Sequence, residues 1–115
     1  MNPYIKEYAE LVKDYEAKKG KRETVLALYE FSDRLKEAGD KDAKIVLVDV
    51  YKILSLMQSA YDLMSEIADR NDRKQIKKLA YLKSIAEDDG DRWAVKRPKT
   101  AAEESLQREK AKKLP

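Results

Sequence analysis

The sequence predicts an all-α protein: an antiparallel four-helix bundle with a long central third helix and a basic C-terminal tail carrying a short fifth helix. Three observations carry this. Charged residues make up 41% of the 115, while glycine and proline number only three each, a composition that favours helices over turn-rich β folds. Apolar residues recur at helical spacing through most of the first 86 positions. Charge is split unevenly. Residues 1–91 hold 17 Lys/Arg against 19 Asp/Glu, a net of −2, and residues 92–115 hold 8 against 3, a net of +5. The division expected is therefore 1–91 as a helical bundle and 92–115 as a partner-docking tail.

The first helix opens at Asn2-Pro3, a capping residue followed by proline at the first helical position. Tyr4, Ile5, Tyr8, Leu11, Val12 and Tyr15 form its apolar stripe, and Gly20 ends it. The second runs from about Glu23 to Ala38, with Val25, Leu28, Phe31 and Leu35 inward and Gly39 as the stop.

Asp40 or Asp42 caps the third element. "KIVLVDVY" alone reads as a strand, but the longer pattern decides otherwise. Heptad positions a, d and e from Ala43 onward are Ala43, Val46, Leu47, Val50, Ile53, Leu54, Met57, Ala60, Tyr61, Met64, Ile67 and Ala68, all apolar, and no glycine or proline interrupts them. This predicts one unbroken helix over 43–68, about 28 residues with its ends and about 42 Å long. Ile53 and Leu54 are its expected central core residues. "DRND" (69–72) is a turn with Asn71 or Asp72 as cap. A fourth helix follows, with Ile76, Leu79, Ala80, Leu82, Ile85 and Ala86 inward and Gly90 as the stop.

In the tail, Pro98 disfavours helix in "VKRP". Thr100 and Glu103 form a capping box for a fifth helix over 101–112. That helix has Leu106 as its only sizeable apolar side chain and is marginal alone.

The sequence argues against catalysis. It has no histidine and no cysteine, which removes the commonest general base, the commonest transition-metal ligand and thiolate sites. No catalytic or metal-ligating residue and no cofactor is expected. Asp88, Asp89 and Asp91 lack the ligand alternation and closing glutamate of a calcium loop and read as a solvated turn. Asp49 and Lys52 read as an ordinary intrahelical pair. The helix 1 tyrosines share a stripe with Leu11 and read as core side chains rather than base-stacking platforms. A helix-turn-helix is rejected because "AKIVLVDVY" would bury where a reading helix must be polar. "IVLV" is the longest aliphatic run, far short of a membrane span, and the N-terminus shows no secretory signal, so a cytoplasmic protein is expected.

Three basic clusters remain: Lys18, Lys19, Lys21 and Arg22; Arg70, Arg73, Lys74, Lys77 and Lys78; and Arg92, Lys96, Arg97 and Lys99 around Trp93, the only tryptophan. In a four-helix up-down bundle the first two clusters share one end, and Glu37, Asp40, Asp42 and residues 87–91 collect at the other. The expected function is that of a non-catalytic accessory protein. It would bind RNA, DNA or a larger nucleoprotein assembly through the basic loops and tail. The competing expectation is a protein-only adaptor or inhibitor, virus- or mobile-element-encoded, whose tail docks on a larger protein. Trp93 has two expected homes: folded back over the open end of the bundle, or projecting as a partner anchor.

Overall fold

The computed structural model describes residues 2–99, and these are helical without any strand. Five helices follow one another: α1 (Ile5–Ala17), α2 (Arg22–Ala38), α3 (Lys41–Ile53), α4 (Met57–Ile67) and α5 (Arg73–Asp88). The capping box at Thr100 and the fifth helix expected over 101–112 lie outside the described residues.

Most boundaries fall where local chemistry places them. Asn2 Oδ1 accepts from the Tyr4 N–H at 3.0 Å, while its Nδ2 donates to the Asp42 carbonyl at 2.8 Å, tying the start of α1 to the start of α3. Gly39 is left-handed, φ 66°, and its N–H closes α2 on the Leu35 carbonyl at 3.1 Å. Asp40 caps α3 by accepting from the Ala43 N–H at 3.2 Å. Asp72 caps α5 by accepting from the Lys74 N–H at 2.9 Å. These carboxylates satisfy first-turn donors that have no partner inside the helix.

The predicted unbroken helix over 43–68 is instead two helices. The chain leaves α3 through a Schellman turn: the Leu56 N–H bonds to the Tyr51 carbonyl at 2.8 Å and the Ser55 N–H to the Lys52 carbonyl at 3.1 Å. Ser55 occupies the left-handed position, φ 58°, that glycine ordinarily fills in this motif. The physical reason for the break lies in the neighbours. Helices α1 and α2 have 13 and 17 residues. At 1.5 Å per residue they reach about 20 and 26 Å, so a 42 Å helix would leave half its apolar stripe in water. Folding at Ser55 lays the second half of the stripe against the first. Ser55→Gly is expected to stabilise the protein by about 0.5–1 kcal/mol, since it removes the strain of a non-glycine residue at positive φ; the midpoint of thermal or denaturant unfolding reads this.

The turn leaves α3 at the centre of two cores. On one side, Val25, Leu28, Phe31 and Leu35 of α2 pack with Ala43, Val46, Leu47 and Val50, and the stripe of Tyr4, Tyr8, Leu11 and Tyr15 on α1 closes over them half-buried. On the other, Val48 of α3 packs with Ala60 and Met64 of α4 and Leu82 of α5. On α5 the inward side chains are Leu82 and Ala86, with Ile85 and Leu79 at the margin. Ile76 and Ala80, expected inside, are exposed, because α5 packs on α4 through a narrower face than the apolar count suggests.

The extra reversal also changes which loops share an end. Lys44 of α3 pairs with Glu66 of α4 at 2.6 Å, and Asp91, just past α5, accepts from the Gln58 N–H at the start of α4. The helices therefore alternate in direction throughout. The 18–21 loop, the 54–56 turn and residues 88–91 lie at one end, the Ser55 end. Asn2, Gly39 and the 68–72 loop lie at the other. The basic segments 18–22 and 70–78 are thus at opposite ends and form no joint patch, and each shares its end with acidic residues. A four-helix count puts them together; one additional turn separates them.

Candidate functional site

The chain after α5 is fixed to the body. Gly90 has φ 57°, and the Asp91 carboxylate then accepts from the Gln58 N–H at 2.9 Å. This supplies α4 with a capping group from outside its own segment, since Leu56 at its N-cap has none. Four residues on, the Val95 N–H donates to the Leu54 carbonyl at 2.8 Å, and the Val95 side chain is half-buried against the α2–α3 core. The Tyr29 hydroxyl donates to the Val95 carbonyl. Burial pushes that hydroxyl's pKa up, so it stays protonated and able to donate. Arg97 pairs with Asp33 at 2.8 Å and lies over the Tyr29 ring, and Arg22 donates to the Lys99 carbonyl. Residues 91–99 form a strap across α2.

Trp93 lies between the two inner anchors, Asp91 and Val95, on a turn closed by the Arg92 N–H to Asp89 carbonyl bond at 3.0 Å and the Ala94 N–H to Asp91 carbonyl bond at 3.1 Å. The tail does fold back, but Val95 is the residue that buries; Trp93 is 66% exposed. The Arg92 guanidinium stands 5.1 Å from its ring centre, a cation–π contact. Trp93 also lines an open groove of about 290 Å³ with Tyr81, Ile85 and Asp89 of the α5 end and Lys52 and Met57 flanking the Ser55 turn. Tyr81 is itself 58% exposed.

The outer side of α5 continues this surface. Arg73, Lys77 and Tyr81 succeed one another at four-residue spacing, the interval that lines side chains along one helix face, with Lys74 beside them. Arg70, Arg73, Lys74 and Lys77 are exposed and form no ion pair among the described residues. Lys78, expected in the same cluster, turns inward to pair with Asp49 at 2.9 Å. Asp49 thereby bridges α3 to α5 rather than pairing with Lys52 within α3. Lys19, Lys21, Lys96 and Lys99 are exposed. Lys18 pairs loosely with Glu23 at 3.8 Å.

The structure thus links the 70–77 basic segment to Trp93 and Arg92 along the length of α5, while Arg22 of the 18–22 segment reaches the tail farther on, at the Lys99 carbonyl. Sequence reasoning did not single out Tyr81, read Lys52 as the partner of Asp49 rather than as part of this groove, and missed the capping role of Asp91. The Arg73–Lys77–Tyr81 interval is a readable signal for the first. The other two depend on the turn at Ser55, which no glycine or proline announces.

A second cleft, about 430 Å³, lies between α2, α3 and α4, with Leu35, Leu47, Tyr51 and Leu63 as its apolar floor. Its rim charges are largely engaged: Lys44 with Glu66 at 2.6 Å, Asp62 with Gln58 at 2.9 Å, and Lys36 over the Tyr51 ring at 5.7 Å. Among the described residues no group of three or more Asp, Glu, His or Cys could hold a metal ion, and no helix is long and apolar enough to cross a membrane. No family model matches the chain, and comparison with curated proteins and with solved structures found no similar one.

Proposed function

We propose that this chain is a non-catalytic interaction protein that binds nucleic acid, alone or within a nucleoprotein assembly, along the outer edge of α5 and the adjoining Trp93 turn. The observation that carries the reading is the continuity of one surface. Arg70, Arg73, Lys74 and Lys77 are without carboxylate partners among the described residues, and the same edge runs on to two exposed aromatic rings, Tyr81 and Trp93. Cations positioned for phosphates beside rings positioned for bases are what a nucleic-acid surface requires. The anchors at Asp91 and Val95 hold Trp93 in place before any partner arrives, which lowers the entropy lost on binding.

Salt tests it. Anisotropy of a labelled single strand, titrated with the full chain between 50 and 300 mM salt, is expected to show log affinity falling linearly with log salt. Three or four phosphate contacts give a slope of about −2 to −3. The double variant Arg73→Glu, Lys77→Glu is expected to flatten that slope by about 1.4 with folding intact. A salt-independent affinity, or no binding at all, would reject the reading.

One observation favours a second reading, a protein partner. Tryptophan and arginine are the residues enriched at protein-binding hot spots, and Trp93 with Arg92 stacked on it is such a pair. An adaptor or inhibitor using this turn would lose its protein partner on Trp93→Ala while its affinity barely changes with salt.

A further inference from the structure

We infer that the groove between Trp93 and Tyr81 is a binding site for one unpaired base of a single-stranded nucleic acid, with guanine the base it fits best; this rests on the nucleic-acid reading above. Two aromatic side chains line one groove, and both are more than half exposed. A ring left in water at that level is available to stack, and a base offers a π-face whatever its identity. Met57 and Ile85 add apolar side chains to the same lining. The volume, about 290 Å³, lies at the lower limit of small-molecule pockets, about 300–1,000 Å³. It suits a single base with the sugar and phosphates left outside, where Lys52 at the margin and Arg92 over the Trp93 ring supply positive charge.

The lining contains one carboxylate, Asp89, whose side chain makes no hydrogen bond or ion pair among the described residues. A carboxylate accepts through both oxygens and donates nothing when ionised. The base edge that matches it presents two adjacent N–H donors, which in the common bases is the N1–H and N2–H₂ edge of guanine. A duplex hides that edge in its own pairing and offers no exposed ring face, so the site selects single strands.

Trp93, as the only tryptophan, reports on the site directly. The full chain is titrated with a thymidine decamer, with the same decamer carrying one central guanosine, and with a ten-base-pair duplex, read by tryptophan emission and by anisotropy of a labelled strand. Both single strands are expected to quench Trp93, and the guanosine strand to bind at least about fivefold tighter. Stacking worth about 1–3 kcal/mol per base predicts a roughly 5- to 150-fold loss of affinity for Trp93→Ala and retention of most affinity for Trp93→Phe. Asp89→Asn is expected to erase the guanosine preference. Single-strand binding that is salt-dependent but equal in Trp93→Ala and the parent chain, with no quenching, would overturn the base site and leave the α5 reading standing. Absence of binding by all three probes would overturn both. A guanosine preference that survives Asp89→Asn would overturn the assignment of Asp89.

Discussion

Phe31→Ala is expected to destabilise the protein by about 3–5 kcal/mol. Phe31 is 1% exposed and sits in the middle of the α2 stripe, between Leu28 and Leu35, against Val46, Leu47 and Val50 of α3. Removing the ring deletes a large apolar contact and leaves a cavity that neighbouring helices fill only partly. The loss extends outward. The Arg34 guanidinium lies 5.3 Å from the centre of the Phe31 ring and also grips Glu7 of α1 at 2.5 and 3.2 Å. Helix α1 has no fully buried residue, so its docking depends on the half-buried tyrosines and on such rim contacts. No disulfide braces the chain, and single domains are stable by about 5–15 kcal/mol in all. Denaturant unfolding is expected to show the midpoint falling sharply, with hydrogen exchange in α1 accelerating before that in α3. A change below about 1.5 kcal/mol would mean that Phe31 is not in the core.

The helical class, the stop at Gly39, the stripe of α2 and most of that of α1 (Ile5, read into it, is 52% exposed) were legible in the sequence, and the caps of α3 and α5 were legible to two candidates each, Asp40 or Asp42 and Asn71 or Asp72, because each is set by residues within a turn or two of itself. The Ser55 turn was not. Its Schellman hydrogen bonds use backbone groups only, and a serine takes the position where a glycine would have signalled a stop. The heptad stripe reads the same whether it faces outside partners along one long helix or faces itself across a hairpin. What decides is the length of the neighbouring helices, a property of the whole chain rather than of a window. That one turn reverses α4 and α5, and the error then spread to the site. The basic loops 18–22 and 70–78 were expected at one end and lie at opposite ends. The tail was legible in composition only. Its aromatic was conspicuous, but which residue docks depends on the Leu54 carbonyl that the turn sets free. Val95, not Trp93, meets that carbonyl.

Leu54→Ala and Ile53→Ala test the turn through the difference between them. In one continuous helix the two positions are neighbours on the same buried stripe, and each would cost about 2–5 kcal/mol. In the hairpin they separate. Leu54 closes α3 and is 0% exposed, whereas Ile53 is only half-buried at the edge of the same core. Leu54→Ala is therefore expected to cost about 2–5 kcal/mol. Ile53→Ala, which removes apolar area already partly in water, is expected to cost less than about 1.5 kcal/mol. Leu54 carries a second consequence. Its carbonyl receives the Val95 N–H at 2.8 Å, and its side chain helps form the surface on which Val95 is half-buried. A cavity there loosens the strap on the side of Trp93 away from Asp91. Leu54→Ala is thus expected to speed protease cleavage within residues 91–99 as well as lower the unfolding midpoint, while Ile53→Ala changes the cleavage rate little. Equal costs at the two positions would argue for an unbroken helix through Ser55. A large stability loss with no change in strap cleavage would place Val95 elsewhere than on the Leu54 carbonyl.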